Sequence, residues 1–289
     1  MDIIPNEILR FILSHLSYLQ RRSIIYVAKI WWYLIQTFSK IPSDYIHTTC
    51  PDSSDISYNF IKEIHSSDKM LIFGHNSINI VDKKFNQYIR SSSNIAINNE
   101  RIIISDSTLH KIRIFDIEGK IIHEFGSYGR ENGEFIDPQG VAIDYQTNDI
   151  IVVDSGNDRI QVFDMSGKFI FTFGSEHQFN NLSKVTINQE NRDIIAVDFQ
   201  NGYIFDYTGV HKSTFDQIFC PSAIVTNGNI IALIDLIDRI QIFDVFGNFI
   251  FKIFEEKTTA YLSGMSILKN DTIVCPSNRG LHFFIPFYK

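Results

Sequence analysis

The stretch GEFIDPQGVAIDYQTNDIIVVDSGNDRIQVFDMSGKFIFTFG, residues 133–174, decides the fold. It contains short runs of β-branched and aromatic residues, such as IIVVD (150–154) and RIQVFD (159–164), separated by glycine, asparagine, aspartate and serine. Runs of this length, bounded by turn residues, are typical of β-strands joined by tight turns. The stretch therefore predicts about four consecutive strands.

The same pattern recurs along most of the chain. The run RIQVFD has counterparts in SINIVD (77–82), KIRIFD (111–116), YIFDY (203–207) and RIQIFD (239–244). Every copy carries an aspartate at or near its end, and these are Asp82, Asp116, Asp164, Asp206 and Asp244. Their separations of 34 to 48 residues, with about four strands per unit, are typical of the blades of a β-propeller.

Six such units can be placed, so the sequence predicts a mainly β fold, a six-bladed β-propeller over residues 45–289. The predicted strands of the second blade are 94–98, 101–106, 111–116 and 121–126. The other blades are predicted at 60–91, 141–174, 183–216, 222–254 and 264–285. The last blade contains only three strands, and we expect the segment 45–49 to add its outer strand, because an open edge would promote aggregation. Alternatively, residues 60–64 close the ring and the first blade lacks a strand.

The first forty residues follow a helical period instead. Pro5 and Glu7 suit the first turn of a helix, where a missing N–H costs nothing and a negative charge is favoured. The apolar residues of this helix recur at helical spacing, at Ile8, Leu9, Ile12, Leu13 and Leu16. A second helix is predicted over 23–38, with apolar residues on more than one face. We therefore expect a small α-helical module at residues 1–40 that covers its apolar surface with another protein or with the rest of the chain.

Composition excludes several classes of protein. The 289 residues are 44% hydrophobic and 20% charged, which is enough to bury a large core and excludes disorder of the whole chain. The longest apolar stretch, 24–35, is too short to span a bilayer, and no signal peptide is evident, so we expect no membrane association. Cys50, Cys220 and Cys275 lack the spacing of a disulfide framework, which favours a cytoplasmic or nuclear location. An excess of isoleucine over alanine indicates an AT-rich genome, and for a virus the compartment would be that of the host cell.

Signatures of catalysis are absent from the sequence. It contains no GxSxG, GxGxxG or P-loop motif, and its nine histidines show no metal-binding spacing. Four aspartates follow the second strand of successive units and resemble a ring of metal ligands, namely Asp106, Asp154, Asp198 and Asp235. Three of them precede a basic residue at the start of the next strand, and these residues are Lys111, Arg159 and Arg239. We interpret the aspartates as partners in cross-strand ion pairs, and we expect no enzyme, no cofactor and no metal.

Two family resemblances cover nearly the whole chain. Residues 133–174 resemble an NHL repeat, with the GxF, PxGVAxD, VVDxxNxRIQVFD and GxF elements in order, and 94–126 and 222–254 resemble it well. Residues 4–34, IPNEILRFILSHLSYLQRRSIIYVAKIWWYL, resemble an F-box, with its LPxELLxxILSxL opening and its later VxKxWxxL. Ile4 stands where that family has leucine, and Gln20-Arg21-Arg22 stand where it has Asp-Leu-Leu.

The resemblances imply a non-enzymatic target-recognition subunit of an SCF-type ubiquitin ligase. The F-box would dock on a Skp-type adaptor and through it on a cullin, and the propeller would bind a target protein. The F-box resemblance implies an adaptor-binding face that comprises Ile4, Pro5, Ile8, Leu9, Ile12 and Trp32. For the target, we expect apolar residues in loops that are polar in the other units, at Phe199, Leu236 and Ile237.

Two other classes of function stay open. Some NHL propellers bind single-stranded RNA, so the resemblance also admits an RNA-binding or a general protein-interaction propeller. Residues 1–57 contain five basic and five acidic side chains, so the whole net charge of −7 lies on the predicted propeller, which disfavours phosphate binding. A metal-dependent, lactonase-like hydrolase would require acidic or amide side chains that are not repeated between blades and that converge in the channel.

Overall fold

The computed structural model describes residues 61–63, 69–74, 77–82, 94–98, 100–116, 119–174, 179–235, 240–253, 264–267, 273–277 and 280–284. The chain divides into two compact units, Met1–Thr48 and Thr49–Lys289, and every described residue belongs to the second. The predicted helical module at 1–40 and the predicted closing strand at 45–49 lie outside the described residues. Within the described ranges, no helix is long and apolar enough to cross a membrane.

The described residues form six antiparallel sheets, each built from strands that are consecutive in the chain. The first sheet contains β1 (Ile61–Glu63), β2 (Lys69–Gly74) and β3 (Ser77–Asp82). The second contains β4 (Asn94–Ile97), β5 (Arg101–Asp106), β6 (Lys111–Asp116) and β7 (Ile121–Phe125). The third contains β8 (Pro138–Ile143), β9 (Ile150–Asp154), β10 (Arg159–Phe163) and β11 (Phe169–Phe173), with a one-turn 3-10 helix, Ser155–Asn157, between β9 and β10.

The remaining three sheets repeat this plan. The fourth contains β12 (Lys184–Ile187), β13 (Ile194–Val197), β14 (Gly202–Phe205) and β15 (His211–Phe215). The fifth contains β16 (Ala223–Thr226), β17 (Ile230–Ile234), β18 (Ile240–Asp244) and β19 (Phe249–Ile253). The sixth contains β20 (Ser266–Ile267), β21 (Ile273–Ser277) and β22 (Gly280–Phe284) among its described residues.

The sheets are arranged around a common channel. The first strands of successive sheets contact one another in the series β4, β8, β12, β16 and β20. Residues of these five strands line one central cavity. Sheets whose first strands surround a channel in this way form a β-propeller. The strands predicted for the second blade agree with β4 to β7 to within one residue.

In the third, fourth and fifth sheets, the aspartate that ends the repeated run closes a turn to the next strand. In the third sheet, the Oδ1 atom of Asp164 accepts hydrogen bonds from the backbone N–H groups of Ser166 and Lys168, at 2.9 and 3.0 Å. Gly167 follows with φ +82°, a left-handed conformation that glycine adopts without strain. The hydrogen bond from the Ser166 side chain, together with these backbone bonds, lowers the pKa of Asp164. Asp206 and Asp244 make the same turns before Gly209 and Gly247.

A phenylalanine at the end of three outer strands, β7, β11 and β15, joins its sheet to the next one. Phe173 ends β11, and its ring lies 5.1 Å from the ring of Phe205 in the fourth sheet. A Cβ atom added to Gly209 would lie 2.5 Å from the ring of Phe173, so the close packing requires glycine. Two further joints have the same composition, Phe125 with Phe163 and Gly167, and Phe215 with Phe243 and Gly247. Full burial of one such ring is worth roughly 1.5–3 kcal/mol, so these joints contribute much of the contact between blades.

Candidate functional site: the central channel and the loop end

The two ends of the sheets carry different loops. Because neighbouring strands are antiparallel, the loop between the second and third strands of a sheet lies at the same end as the start of its first strand. The fully described connections between sheets, 126–137 and 216–222, also lie at this end. We call it the loop end, and we call the other end, with the loops between first and second strands, the opposite end.

The repeated aspartates at the loop end are hydrogen-bonded within the sheets. Asp154 is fully buried, and its Oδ2 atom accepts from Nε of Arg159 at 2.8 Å and from Nε2 of Gln161 at 3.0 Å. Its Oδ1 atom accepts from the backbone N–H of Ile136 at 2.8 Å, in the connection that precedes the same sheet. Such an aspartate fixes the loop to the strands, and its oxygens are already occupied.

The predicted pairing of these aspartates needs one correction. Asp106 pairs with Arg113, at 3.0 Å, and not with the predicted Lys111. Lys111 bonds instead to Glu124 at 2.7 Å, and this hydrogen bond lowers the pKa of Glu124. Asp106, Lys111, Arg113 and Glu124 lie on one face of the sheet. The Arg113 side chain is more buried than that of Lys111, and it is the one that reaches the fully buried carboxylate of Asp106.

The partner lies at the same place in four sheets, three residues before the aspartate that ends the repeated run. These partners are Arg113 for Asp106, Gln161 for Asp154, Tyr203 for Asp198 and Gln241 for Asp235. Burial, together with the 2.7 Å hydrogen bond to Asp198, raises the pKa of Tyr203 to about 12. Arg239, the third predicted cation, lies outside the described residues. Within the described part of the chain, no three histidine, cysteine or acidic side chains gather as a metal site would require.

The channel contains a cavity of about 80 Å³, enough for several waters or one small ligand. Its walls are mostly isoleucine and valine side chains from the inner strands. The polar side chains in the wall are those of Asn94, Tyr145, Lys184, Thr186 and Gln189. An apolar cavity with a few polar groups is the usual form of a ligand site.

Lys184 is the one cation in the described wall of this cavity. It is the first residue of β12 and is only 7% exposed. Burial disfavours the ammonium form and lowers the pKa of Lys184 to about 8, although the nearby Cys220 acts weakly in the opposite direction. Because this pKa still lies above neutrality, most of the lysine carries its charge at pH 7.

The polar groups farther along the channel are bonded to each other. The Gln189 side chain accepts from the backbone N–H of Tyr145 and donates to the carbonyl of Ile143, both at 2.8 Å. The phenol of Tyr145 donates to the carbonyl of Ile97, also at 2.8 Å. These bonds connect the second, third and fourth sheets near the opposite end of the channel.

Aromatic pairs lie at the loop end outside the channel. Phe199, in the loop between β13 and β14, is half-buried and packs edge-on against Phe219, with ring centroids 5.3 Å apart. In the second sheet, His110 packs in the same way against Tyr128, at 5.0 Å. Phe219 is 41% exposed and Tyr128 is 68% exposed, so both rings offer apolar surface to a partner.

At the opposite end of the third and fourth blades, charged side chains form ion pairs and hydrogen bonds. Arg192, in the loop between β12 and β13, bonds to the buried Asp144 of the third sheet at 2.5 and 2.7 Å. Its guanidinium carbon lies 3.5 Å from the ring centre of Tyr207. Tyr207 donates a hydrogen bond to Asp149, and burial with this bond raises the pKa of Tyr207 to about 12. Lys212 bonds to Asp193 at 2.6 Å.

The site residues expected from the sequence fall in different places. The proposed adaptor-binding residues, Ile4, Pro5, Ile8, Leu9, Ile12 and Trp32, lie outside the described residues, as do Leu236 and Ile237. Phe199 is at the loop end, where its backbone N–H bonds to the carbonyl of Asn180, and its ring is half covered by Phe219. Sequence reasoning missed Lys184. It occupies the position of Gly140 in the preceding blade, and a comparison of the repeats at this position could have revealed it.

Residues 82–212 match the model of the DUF5128 family, which is described as a 6-bladed beta-propeller. The chain is similar to six-bladed β-propellers. That similarity agrees with the six sheets of the described residues. Among curated proteins, none matches the chain in sequence.

Solved structures share the propeller fold at low sequence identity. A chain of the hydrazine synthase of Kuenenia stuttgartiensis aligns with a TM-score of 0.53 and 12% identity, over 65% of this chain and 55% of that one. This protein thus spans about half the length of the synthase chain. A chain of the mitotic checkpoint complex aligns with a TM-score of 0.56 and 11% identity, over 79% of this chain and 74% of that one. At these identities the likeness concerns the fold alone.

Proposed function

We propose that this protein is a target-recognition subunit of an SCF-type ubiquitin ligase. In this proposal, residues 1–40 dock on a Skp-type adaptor and through it on a cullin, and an NHL-type propeller binds the target protein. The F-box resemblance of residues 4–34 and the NHL resemblance of residues 133–174 support the two parts. The protein itself performs no bond chemistry. It raises the effective concentration of the target near a ubiquitin carrier.

The apolar surface of the loop end is the observation that carries the target-binding half of the proposal. Leu109 and Tyr128 of the second blade and its connection are 50% and 68% exposed, and Phe219 is 41% exposed. All three lie at the end where the loops between β5 and β6 and between successive sheets meet. Aromatic and large aliphatic side chains that protrude from a rigid scaffold are typical contacts in protein interfaces.

The charge of the chain favours a protein target over RNA. A net charge of −7 opposes attraction to a phosphate backbone. At the loop end, Arg159 forms an ion pair with Asp154, and Arg113 forms one with Asp106. A salt titration with labelled single-stranded RNA tests this alternative, because binding to phosphates weakens steeply as salt is added.

A pull-down with purified Skp-type adaptor tests the ligase assignment. Wild type should retain the adaptor, and the double variant Pro5→Ala, Leu9→Asp should lose it, because a buried carboxylate in an apolar interface is strongly unfavourable. Phe219→Ser is the matched control, since it alters only the propeller and should retain the adaptor. Equal recovery of the adaptor by wild type and by the double variant would remove the ligase assignment and leave a general protein-interaction propeller.

A further inference from the structure

One ring of positions marks the mouth of the channel at the loop end. The residues at equivalent positions at or near the start of the inner strands of the second to sixth sheets are Asn94, Gly140, Lys184, Ala223 and Gly264. Three of the five have no polar side chain. The two polar members, Asn94 and Lys184, both line the cavity and are each 7% exposed. Both residues are therefore recessed in the wall of the cavity.

Both polar members of this ring offer hydrogen-bond donors. The Lys184 side chain has an electrostatic interaction with Cys220 but makes no hydrogen bond or ion pair with any residue that the structure describes. The Oδ1 atom of Asn94 accepts from the backbone N–H of Ile95 at 2.8 Å, and its amide NH₂ group makes no hydrogen bond to a described residue. Since lysine and an amide NH₂ can only donate, together they require an acceptor.

The described part of the cavity wall supplies no carboxylate for these donors. The cavity-lining residues that the structure describes include no aspartate or glutamate. The oxygen atoms of Gln189 and Tyr145 already take part in the bonds near the opposite end of the channel. The repeated aspartates of the loop end, such as Asp154, are occupied by their own sheets. An acceptor for Lys184 and Asn94 would thus come from a bound ligand.

The shape and chemistry of the cavity restrict that ligand. About 80 Å³ accommodates a small anion but not a nucleotide or a sugar. Apolar side chains such as Ile224 and Met265 form the rest of the wall, so a ligand with one charged end and a short apolar part fits best. A carboxylate accepts charge-assisted hydrogen bonds from an ammonium and an amide at once.

We propose that the mouth of the channel is a carboxylate-binding site, in which Lys184 supplies the ammonium and Asn94 the amide donor. The carboxylate is either that of a small free acid or that of an acidic side chain or chain terminus of a protein bound at the loop end. The site follows from the channel alone and does not depend on the ligase role. A charged lysine held this deep without an acid among the described residues is unfavourable until such a ligand enters.

Binding of acetate, followed through the methyl group of Met265, tests the site. The chain has four methionines, so protein labelled with ¹³C-methyl methionine gives a simple spectrum, and a Met265→Leu variant assigns the signal of the cavity. Acetate at neutral pH and constant ionic strength should shift this signal in a saturable manner. Acetamide, which has the same shape and no charge, should leave it unchanged.

Two variants make the result specific. Lys184→Gln keeps a polar side chain of similar length without charge, and it should weaken acetate binding at least tenfold. Lys120→Gln removes an exposed lysine and should bind like wild type. Equal shifts with acetamide, equal binding by Lys184→Gln, or no shift with acetate in the folded protein would each overturn the proposal.

A second set of probes distinguishes the two sources of the carboxylate. N-acetylalanine presents a chain terminus. The α-amide of N-acetylglutamate, in which only the side-chain carboxylate is free, presents an acidic side chain. Tighter binding of either than of acetate assigns the site to a protein ligand, and tighter binding of acetate assigns it to a small acid. None of these measurements involves the adaptor, so a failed adaptor pull-down leaves them intact.

Discussion

The two ends of the third and fourth blades differ in whether their charged side chains form ion pairs. At the opposite end, Arg192 bonds to Asp144, and Lys212 bonds to Asp193. At the loop end, the Lys184 side chain makes no hydrogen bond or ion pair with a described residue, and Phe219 leaves much of its ring in solvent. Paired buried charges fix the blades to each other, whereas an unpaired donor and an exposed ring contribute little to folding. The difference indicates that the opposite end stabilises the ring and that the loop end is available for binding.

The largest effect is expected from a break at the opposite end. Arg192→Leu leaves the fully buried Asp144 without its cation and removes the contact with Tyr207. Loss of one partner of a buried pair costs about 3–5 kcal/mol, so the free energy of unfolding in urea should fall by about that amount. Lys212→Leu breaks a pair whose ammonium is nearly half exposed, and it should cost less than about 1 kcal/mol. If Arg192→Leu lost no more stability than Lys212→Leu, burial of the Asp144 pair would not be what stabilises this end.

Substitution of Lys184, at the mouth of the channel, is expected to change the free energy of unfolding by an intermediate amount and to raise it. Burial lowers the pKa of Lys184 from 10.5 to about 8, so the unfolded chain binds more protons between these pH values. The stability contributed by this site therefore rises with pH across that window. Lys184→Met should be more stable than wild type by about 3 kcal/mol at pH 7. This advantage should disappear by about pH 10.5.

Urea unfolding of both proteins at several pH values measures this difference. The two raised tyrosine pKa values, at Tyr203 and Tyr207, lower stability above about pH 10, but they are present in both proteins and cancel. A constant difference between the proteins from pH 7 to pH 10.5 would contradict a buried, charged Lys184.

The smallest effect on stability is expected from the exposed aromatic residues of the loop end. Phe219→Ser removes a ring that is 41% exposed and should change the free energy of unfolding by less than about 1 kcal/mol. Phe205→Ala, in the fully buried joint to Phe173, should cost about 3–5 kcal/mol. In contrast, Phe219→Ser should reduce co-precipitation of proteins with the propeller, and Phe246→Ser, at an exposed turn away from the loop end, should not. A large loss of stability in Phe219→Ser would place this ring in the core.

The sequence predicted the strands well because each repeat carries its own turn signals. Asp164 and Gly167 mark one turn, and the equivalent residues mark the others, so β6, β10 and β18 could be placed from the pattern. The pairing of Asp106 was predicted less well. Lys111 lies directly opposite it, but which of two neighbouring cations reaches a buried carboxylate depends on how deeply each lies in the sheet.

Lys184 could not be predicted as a site residue from the pattern used. The inner strand of the fourth blade reads KVTI, and only the packing of the inner strands shows that its first residue lines a cavity shared with Asn94. The exposure of Phe219 depends likewise on a connection between sheets, where the repeat has no fixed sequence. Predictions from local period therefore located the blades, whereas the candidate site is formed by residues at which the repeats differ.

The joint between blades has a consequence for how such a ring can change in evolution. Phe173 at the end of one repeat fits against Gly209 in the following one, and Phe125 and Phe215 repeat this arrangement with their own glycines. A duplicated repeat would carry both halves of the joint, the glycine that receives and the phenylalanine that is received. Gain or loss of a whole unit would then leave matching surfaces on both sides of the cut, whereas a cut inside a repeat would separate them.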